Sequence, residues 1–193
     1  CRRLLAGSAI SDNDRKRIAG NRDWSVPAML EAASAYPEAT AQSLVPGSRD
    51  SDITVTLVAG PERESTELAL NSFLNSCADV SRVGRFLVVS AGLSAADRAI
   101  LLERYQFLEF SHSQASEDPD ARLAQIRGEV GSRFWLHLGQ NWRFFAPEPL
   151  LTRLTAVLDA ESEVYQVAIN YGDATALTGL CAPEDAVRRA PGT

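Results

Sequence analysis

Lysine is all but missing from this sequence: Lys16 stands alone among 19 basic residues. The other eighteen are arginine, a bias that reads as genomic composition rather than a demand for guanidinium groups. Against them stand 25 acidic residues, for a formal net charge of −6. That balance excludes a general nucleic-acid binder, which needs a basic stripe along the phosphates. Long apolar runs are missing as well. No stretch approaches the roughly 18 residues of a membrane span, and no signal-peptide pattern stands at the start. A cytoplasmic, soluble chain without a transmembrane segment is therefore expected. Cysteine is scarce: Cys1, Cys77 and Cys181 are odd in number, far apart and without CxxC spacing. They suggest neither a disulfide framework nor a zinc site, and Cys77 reads as a small apolar side chain packed in a helix. The motifs GxGxxG, GxxxxGK[ST] and GxSxG do not occur, so the dinucleotide, P-loop and nucleophile-elbow readings fall away. Neither histidine has a spaced partner ligand. His137 lies in an apolar strand and reads as a core residue, and His112 reads as solvated in a Ser-rich loop.

What remains is a chain of 193 residues, 45% hydrophobic and 23% charged, enough for one domain with an appendage and a core that needs no staple. Residues 1–52 read as a helical N-terminal extension. One helix is expected over Leu4 to Ala19, weakened by Gly7 and Asp12-Asn13-Asp14. A second starts at Ser25 as N-cap before Val26-Pro27 and carries Met29, Leu30 and Ala33. Tyr36-Pro37 interrupts it, Pro46-Gly47 ends the pattern, and the polar run 48–52 is a linker.

Residues 53–193 form the second expected region, where strands and helices alternate. Strands are expected near 53–59, 85–90, 107–110, 133–138 and 164–169, from apolar and β-branched runs. Between them, Leu70, Phe73, Leu74 and Cys77 recur at helical spacing. Ser94 to Asp97 approximates a capping box before a helix through Tyr105, and Asp118-Pro119 opens another through about Val130. Pro147 and Pro149 frame the start of a helix carrying Leu150, Leu154, Val157 and Leu158. Continuous apolar strands that are each followed by a helix imply parallel pairing with both faces covered. The fold class is α/β, an open, mainly parallel, doubly wound sheet. In such sheets ligands bind beyond the carboxyl ends of the strands, here Ala59 to Arg63, Ser90 to Ser94, Gly139 to Arg143 and Asn170 to Asp173.

The layout resembles a family. Ile53 to Arg63, then Asn71-Ser72-Phe73-Leu74, then Phe86 to Ser90 leading to Ser94, looks like the opening of a GT-A glycosyltransferase of the family 2 type. The strongest match is Trp135 to Phe145, where relatives carry an apolar strand running into Glu-Asp-Asp-Trp. The resemblance covers about residues 53–185. It implies a Rossmann-like GT-A fold that transfers a sugar from a nucleotide-sugar donor to a hydroxyl acceptor. The binding residues it implies are Ala59, Gly60, Arg63, Ser90, Ala91, Gly92, Gly139, Gln140 and Asn141. It also implies a divalent cation, manganese or magnesium, yet the acidic triplet is here Gly139, Gln140 and Asn141, and the second strand ends in Ser90-Ala91. The carboxylates that a hard cation prefers are missing, so no metal ligand and no firm cofactor is assigned. Arg143 or Arg63 could neutralise phosphate directly, against the plainer reading of both as surface arginines. Trp142 could pack on a sugar or join Phe144 and Phe145 in the core, and Gly139 reads as a glycine chosen for backbone freedom in a tight connection.

A transferase of this type also needs a base for the acceptor hydroxyl. Asp173 and Asp185 are the late candidates, and each reads more naturally as a loop or cap residue, so no catalytic base is assigned. Cys1 at the start and Ala190-Pro191-Gly192-Thr193 at the end lead us to expect a piece of a longer protein, cut within the acceptor half. The alternative is a degenerate glycosyltransferase fold that acts as a non-catalytic binding or interaction module.

Overall fold

The computed structural model describes residues 31–45, 51–112, 116, 118–139, 142–144, 147–161, 163–165 and 167. The expected helix over Leu4 to Ala19, the start of the second helix and the late residues Asp173 and Asp185 lie outside the described residues. The chain divides into two compact units, Cys1–Glu148 and Pro149–Thr193.

In the first unit, residues 31–34 are helical and a short helix α1 spans Glu38–Ser43, after the Tyr36-Pro37 break. Four strands follow: β1 (Ile53–Ala59), β2 (Arg85–Ser90), β3 (Leu108–Phe110) and β4 (Phe134–Leu138). Helices α2 (Arg63–Ser76), α3 (Ala95–Arg104) and α4 (Pro119–Glu129) alternate with them. Among the described residues every strand pairing is parallel, and the order is β3-β2-β1-β4. The chain thus builds outward from β1 to one side, then crosses back to place β4 on the other. That reversal beside β1 is a topological switch point, where the connecting helices leave opposite faces and open a crevice at the strand ends.

The two faces are built differently. Phe73 of α2 meets Phe86 of β2 edge-on at 6.4 Å and Phe144 at 5.4 Å, and Phe86 meets Phe107 at 4.7 Å. Offset and edge contacts of this kind are the favoured geometry for aromatic rings. On the opposite face, Ile126 of α4 closes over Val58 and Val89, with Ala91, Val130 and Trp135 around them. Phe86 and Val89 are three residues apart on one strand, so they point to opposite faces.

Asn71 ties this core to the N-terminal segment. Its Nδ2 donates to the Ser34 carbonyl at 3.0 Å, and its Oδ1 accepts from the buried Tyr105 hydroxyl at 2.8 Å. Asn75 Nδ2 donates to the carbonyls of Ala33 and Ala35. Tyr36 lies under the Arg104 guanidinium and donates to the Arg104 carbonyl at 2.8 Å. Burial, helped by the nearby Glu67 carboxylate, pushes the Tyr105 phenol well above its ordinary pKa, so it stays a donor.

In the second unit, α5 spans Leu150–Ala160, after the expected Pro147/Pro149 frame. The fifth expected strand, 164–169, is corrected in part: Val164, Tyr165 and Val167 are not in a strand. The Val164 N–H instead bonds the Glu161 carbonyl at 2.9 Å, just past the end of α5, and Tyr165 is 93% exposed. A β-branched, apolar run takes up a strand only where another strand edge pairs with it. The remaining residues of that run lie outside the described residues. Among the described residues, no helix is long and apolar enough to cross a membrane.

Asn71→Ala should destabilise the protein by about 1–3 kcal/mol in urea unfolding, because it strands the buried Tyr105 hydroxyl. Adding Tyr105→Phe should cost much less than the two single changes summed, since the two residues are in contact. Strict additivity would show that the hydrogen bond carries no stability.

Candidate functional site

The registers decide which expected site residues meet. Ala59 pairs with Ser90, and Leu57 pairs with Leu138, so the carboxyl ends of β2, β1 and β4 lie side by side. The Ala91 N–H donates to the Ala59 carbonyl at 2.7 Å, extending the pairing one step beyond the strands. Gly92 has φ +95° and faces Pro61, whose ring stands 3.7 Å from where a Cβ would be. A glycine is required there by its backbone angle. Ala59 and Gly60 are buried, while Ser90 and Ala91 are half-buried. Ala59, Gly60, Ser90, Ala91, Gly92 and Gly139 therefore gather at one edge. Gln140, Asn141 and the segment Asn170 to Asp173 lie outside the described residues.

Gly139 needs a corrected reason. Among the described residues, only Gly92 has a positive φ. At Gly139 the demand is space: an added Cβ would stand 2.7 Å from Cδ1 and Nε1 of Trp142. The Trp142 N–H donates to the Gly139 carbonyl at 3.0 Å, and the indole lies against the glycine. Beyond it, the Phe144 N–H reaches Ser72 Oγ at 3.2 Å, and its ring packs on Phe73. The strand end is thereby fastened to α2.

Arg63 is the first residue of α2 and is heavily engaged. Its Nε donates to Asp97 Oδ1 at 3.2 Å, Nη1 to Glu67 Oε1 at 2.9 Å and Nη2 to Glu64 Oε1 at 2.9 Å. The Glu67 carboxylate, with Glu64 beside it, raises the arginine's pKa further. The nearly buried Glu67 also accepts from Arg104 Nη1 at 3.2 Å. Asp97 in turn is bound to Ser94, which caps α3 by accepting from the Asp97 N–H at 3.0 Å and donates to Asp97 Oδ2 at 2.6 Å. Of the expected capping box the Ser94 side-chain cap is present, and it is joined to Arg63 through Asp97. Arg143 donates to the Trp142 carbonyl at 2.8 Å, and partial burial lowers its pKa.

Sequence reasoning missed a second polar group, on the α4 face. Thr54 and Thr56 of β1 are almost fully buried. Ser132 Oγ donates to Thr54 Oγ1 at 2.8 Å. Trp135 Nε1 donates to Thr56 Oγ1 at 2.7 Å, and His137 Nδ1 lies 2.9 Å from the same oxygen. The alternation of threonine along β1 was the available signal, but its partners lie some eighty residues on and are visible only once β4 is in register. Cys77 is buried and donates to Asp79 Oδ1 at 3.3 Å, and His112 is exposed. Among the described residues, no group of three or more His, Cys, Asp or Glu is placed to hold a metal ion.

Compared with models of known protein families, with curated proteins and with solved structures, the chain matches none. What the geometry defines is a parallel α/β protein with a topological switch point beside β1.

The His137 environment makes a pH prediction. Burial lowers its pKa below the ordinary 6.5, so the unfolded chain takes up this proton first. The stability it contributes is complete above pH 6.5 and is lost as pH falls towards the folded value. Urea midpoints should therefore decline below pH 6.5, with a slope of at most about 1.4 kcal/mol per pH unit from this group. His137→Asn should flatten that decline between pH 6.5 and 5. An unchanged slope would show that His137 titrates alike in both states.

Proposed function

We propose that this chain carries the nucleotide-binding half of a glycosyltransferase-like domain of the GT-A type, with residues 1–52 as a helical N-terminal extension. It takes a nucleotide-sugar donor, passes the sugar to a hydroxyl acceptor, and works in the cytoplasm. The observation that carries this reading is the β3-β2-β1-β4 parallel order, with the ends of β2, β1 and β4 adjacent at the switch point. Open α/β sheets bind their ligands at that place. The Ala59-Gly60 and Ala91-Gly92 steps offer backbone without bulky side chains, as close approach to a phosphate requires. The segments that support the resemblance also take structural roles that suit it. Asn71-Ser72-Phe73 joins α2 to three other parts of the unit, and Trp142 to Phe144 returns from β4 to α2.

A second reading is favoured by one observation. Arg63, the arginine nearest the end of β1, already holds three carboxylates. A phosphate would have to displace them, and no triplet of metal-binding acids stands in among the described residues. That pattern suits a module that binds a nucleotide without turnover.

Thermal unfolding with UDP, GDP, ADP and their glucose conjugates, with and without manganese, tests both readings. A nucleotide at a hundred times its Kd adds about 2.7 kcal/mol. In a chain of this size that is a shift of roughly 5–10 °C. One base series should shift the midpoint, and manganese should change its Kd only slightly. Release of free nucleotide from the sugar conjugate distinguishes the transferase from the non-catalytic module. If none of the nucleotides shifts the midpoint, both readings fail. Tight stoichiometric manganese binding to the free protein, abolished by Asn141→Ala, would restore a metal-dependent transferase.

A further inference from the structure

Trp142 stands where the carboxyl end of β4 turns back towards α2, and its surroundings are unusual for a tryptophan. Part of the indole occupies the space that a side chain at Gly139 would need, 2.7 Å from the ideal Cβ position. The backbone hydrogen bond to the Gly139 carbonyl and the tilted Phe144 ring, 6.1 Å away, hold it there. The residue is nevertheless only half-buried. Among the described residues its indole N–H has no hydrogen-bond partner, whereas Trp135 spends its N–H on Thr56. Indole N–H groups that pack into a fold usually find an acceptor. A fixed ring with an open N–H at the ligand edge of a parallel sheet is built to meet something from outside.

The rest of the edge says what that is. Arg63 is bound to Glu64, Glu67 and Asp97. Among the described residues no cluster of acids is placed to bring a phosphate in on a metal ion. With Arg63 committed to three carboxylates, the planar ring of Trp142 is the prepared surface at this edge. We infer that Trp142 is a stacking platform for the base of a nucleotide, with its indole N–H available to an oxygen of the attached ribose or phosphate. Gly139 is the residue that seats the platform. This inference rests on the nucleotide-site reading above and adds the part of the ligand that is recognised and the residue that recognises it.

The test is calorimetric titration of uridine, UMP, UDP and UDP-glucose, with the guanosine and adenosine series, into the wild-type chain and three variants. Trp142→Ala should weaken every binding nucleotide roughly 5- to 150-fold, the worth of one base–aromatic stack at tenfold per 1.4 kcal/mol. Trp142→Phe keeps a ring and should stay within about fivefold of wild type. Gly139→Ala leaves the indole in the sequence but displaces it, and should weaken binding in the same direction as Trp142→Ala. Because stacking dominates, nucleoside, monophosphate and diphosphate should differ little from one another. If Trp142→Ala does not fold, the contrast between Gly139→Ala and Trp142→Phe carries the test, with circular dichroism confirming the fold of each. Nucleotides that bind wild type and all three variants equally would overturn the inference and leave the nucleotide site standing. A loss confined to UDP-glucose, with UMP unaffected, would overturn it by assigning the ring to the sugar. Failure of the wild-type chain to bind any of these compounds would overturn the site reading and this inference together.

Discussion

All seven residues of β1 are buried, two of them threonines. The rest of the first unit follows from covering that strand. A strand hidden on both faces needs a neighbour on each edge and a layer on each side, which is the condition under which parallel sheets exist. On the Val55 and Leu57 face the layer is aromatic and apolar, from Phe73, Phe86 and Phe107. On the Thr54 and Thr56 face it cannot be purely apolar, because a buried hydroxyl without a partner costs on the order of 1–3 kcal/mol. Ser132, Trp135 and His137 supply those partners, all from β4 or the residues leading into it. The hydroxyls thereby select the register of β4: a one-residue slip would turn Trp135 and His137 to the other face and leave both threonines unsatisfied. Fixing β4 against β1 also fixes where Gly139 emerges beside the end of β1.

Helix α2 distributes this order to everything beyond the sheet. Three consecutive residues reach in three directions: Asn71 to Ser34 and Tyr105, Ser72 to the Phe144 N–H, and Phe73 into the aromatic layer. Successive residues on a helix point about 100° apart, so a buried helix can touch three elements over a single turn. The strand end that carries Trp142 is therefore held by both sheet register and α2.

Much of this was legible in the sequence, and the limits are instructive. Residues 53–59 and 85–90 are strands at the expected bounds, because β-branched and apolar residues leave the chain no cheaper place to be. The caps at Ser94 and Asp118 were equally plain, since a cap is a local contact. Val164, Tyr165 and Val167 misled because a β-branched, apolar run states a preference that only a neighbouring strand can satisfy. At the site, the loops could be named from the rule for strand ends, but Arg63 could not be read. Its partner Asp97 lies 34 residues away and meets it only because β1 and β2 are adjacent. Gly139 was read as a matter of backbone angle when the demand came from a ring three residues on.

The ion pairs around Arg63 also bear on how the crevice responds to a ligand. Glu67 is nearly buried and shared by Arg63 and Arg104, and removing one partner of a buried, hydrogen-bonded carboxylate is costly because its desolvation is not recovered. Arg63 is therefore anchored through Glu67 more firmly than through the exposed Glu64, where a pair contributes little. An anion arriving at Arg63 would most easily replace Glu64, next Asp97, and Glu67 last. Displacing Asp97 would also touch the Ser94 cap, because the same carboxylate accepts from both. The cap contributes about 1 kcal/mol to α3, so binding at the end of β1 and the stability of α3 are thermodynamically linked. Linkage of this kind is reciprocal: whatever loosens α3 frees Arg63 for an anion, and whatever anion takes Arg63 loosens α3.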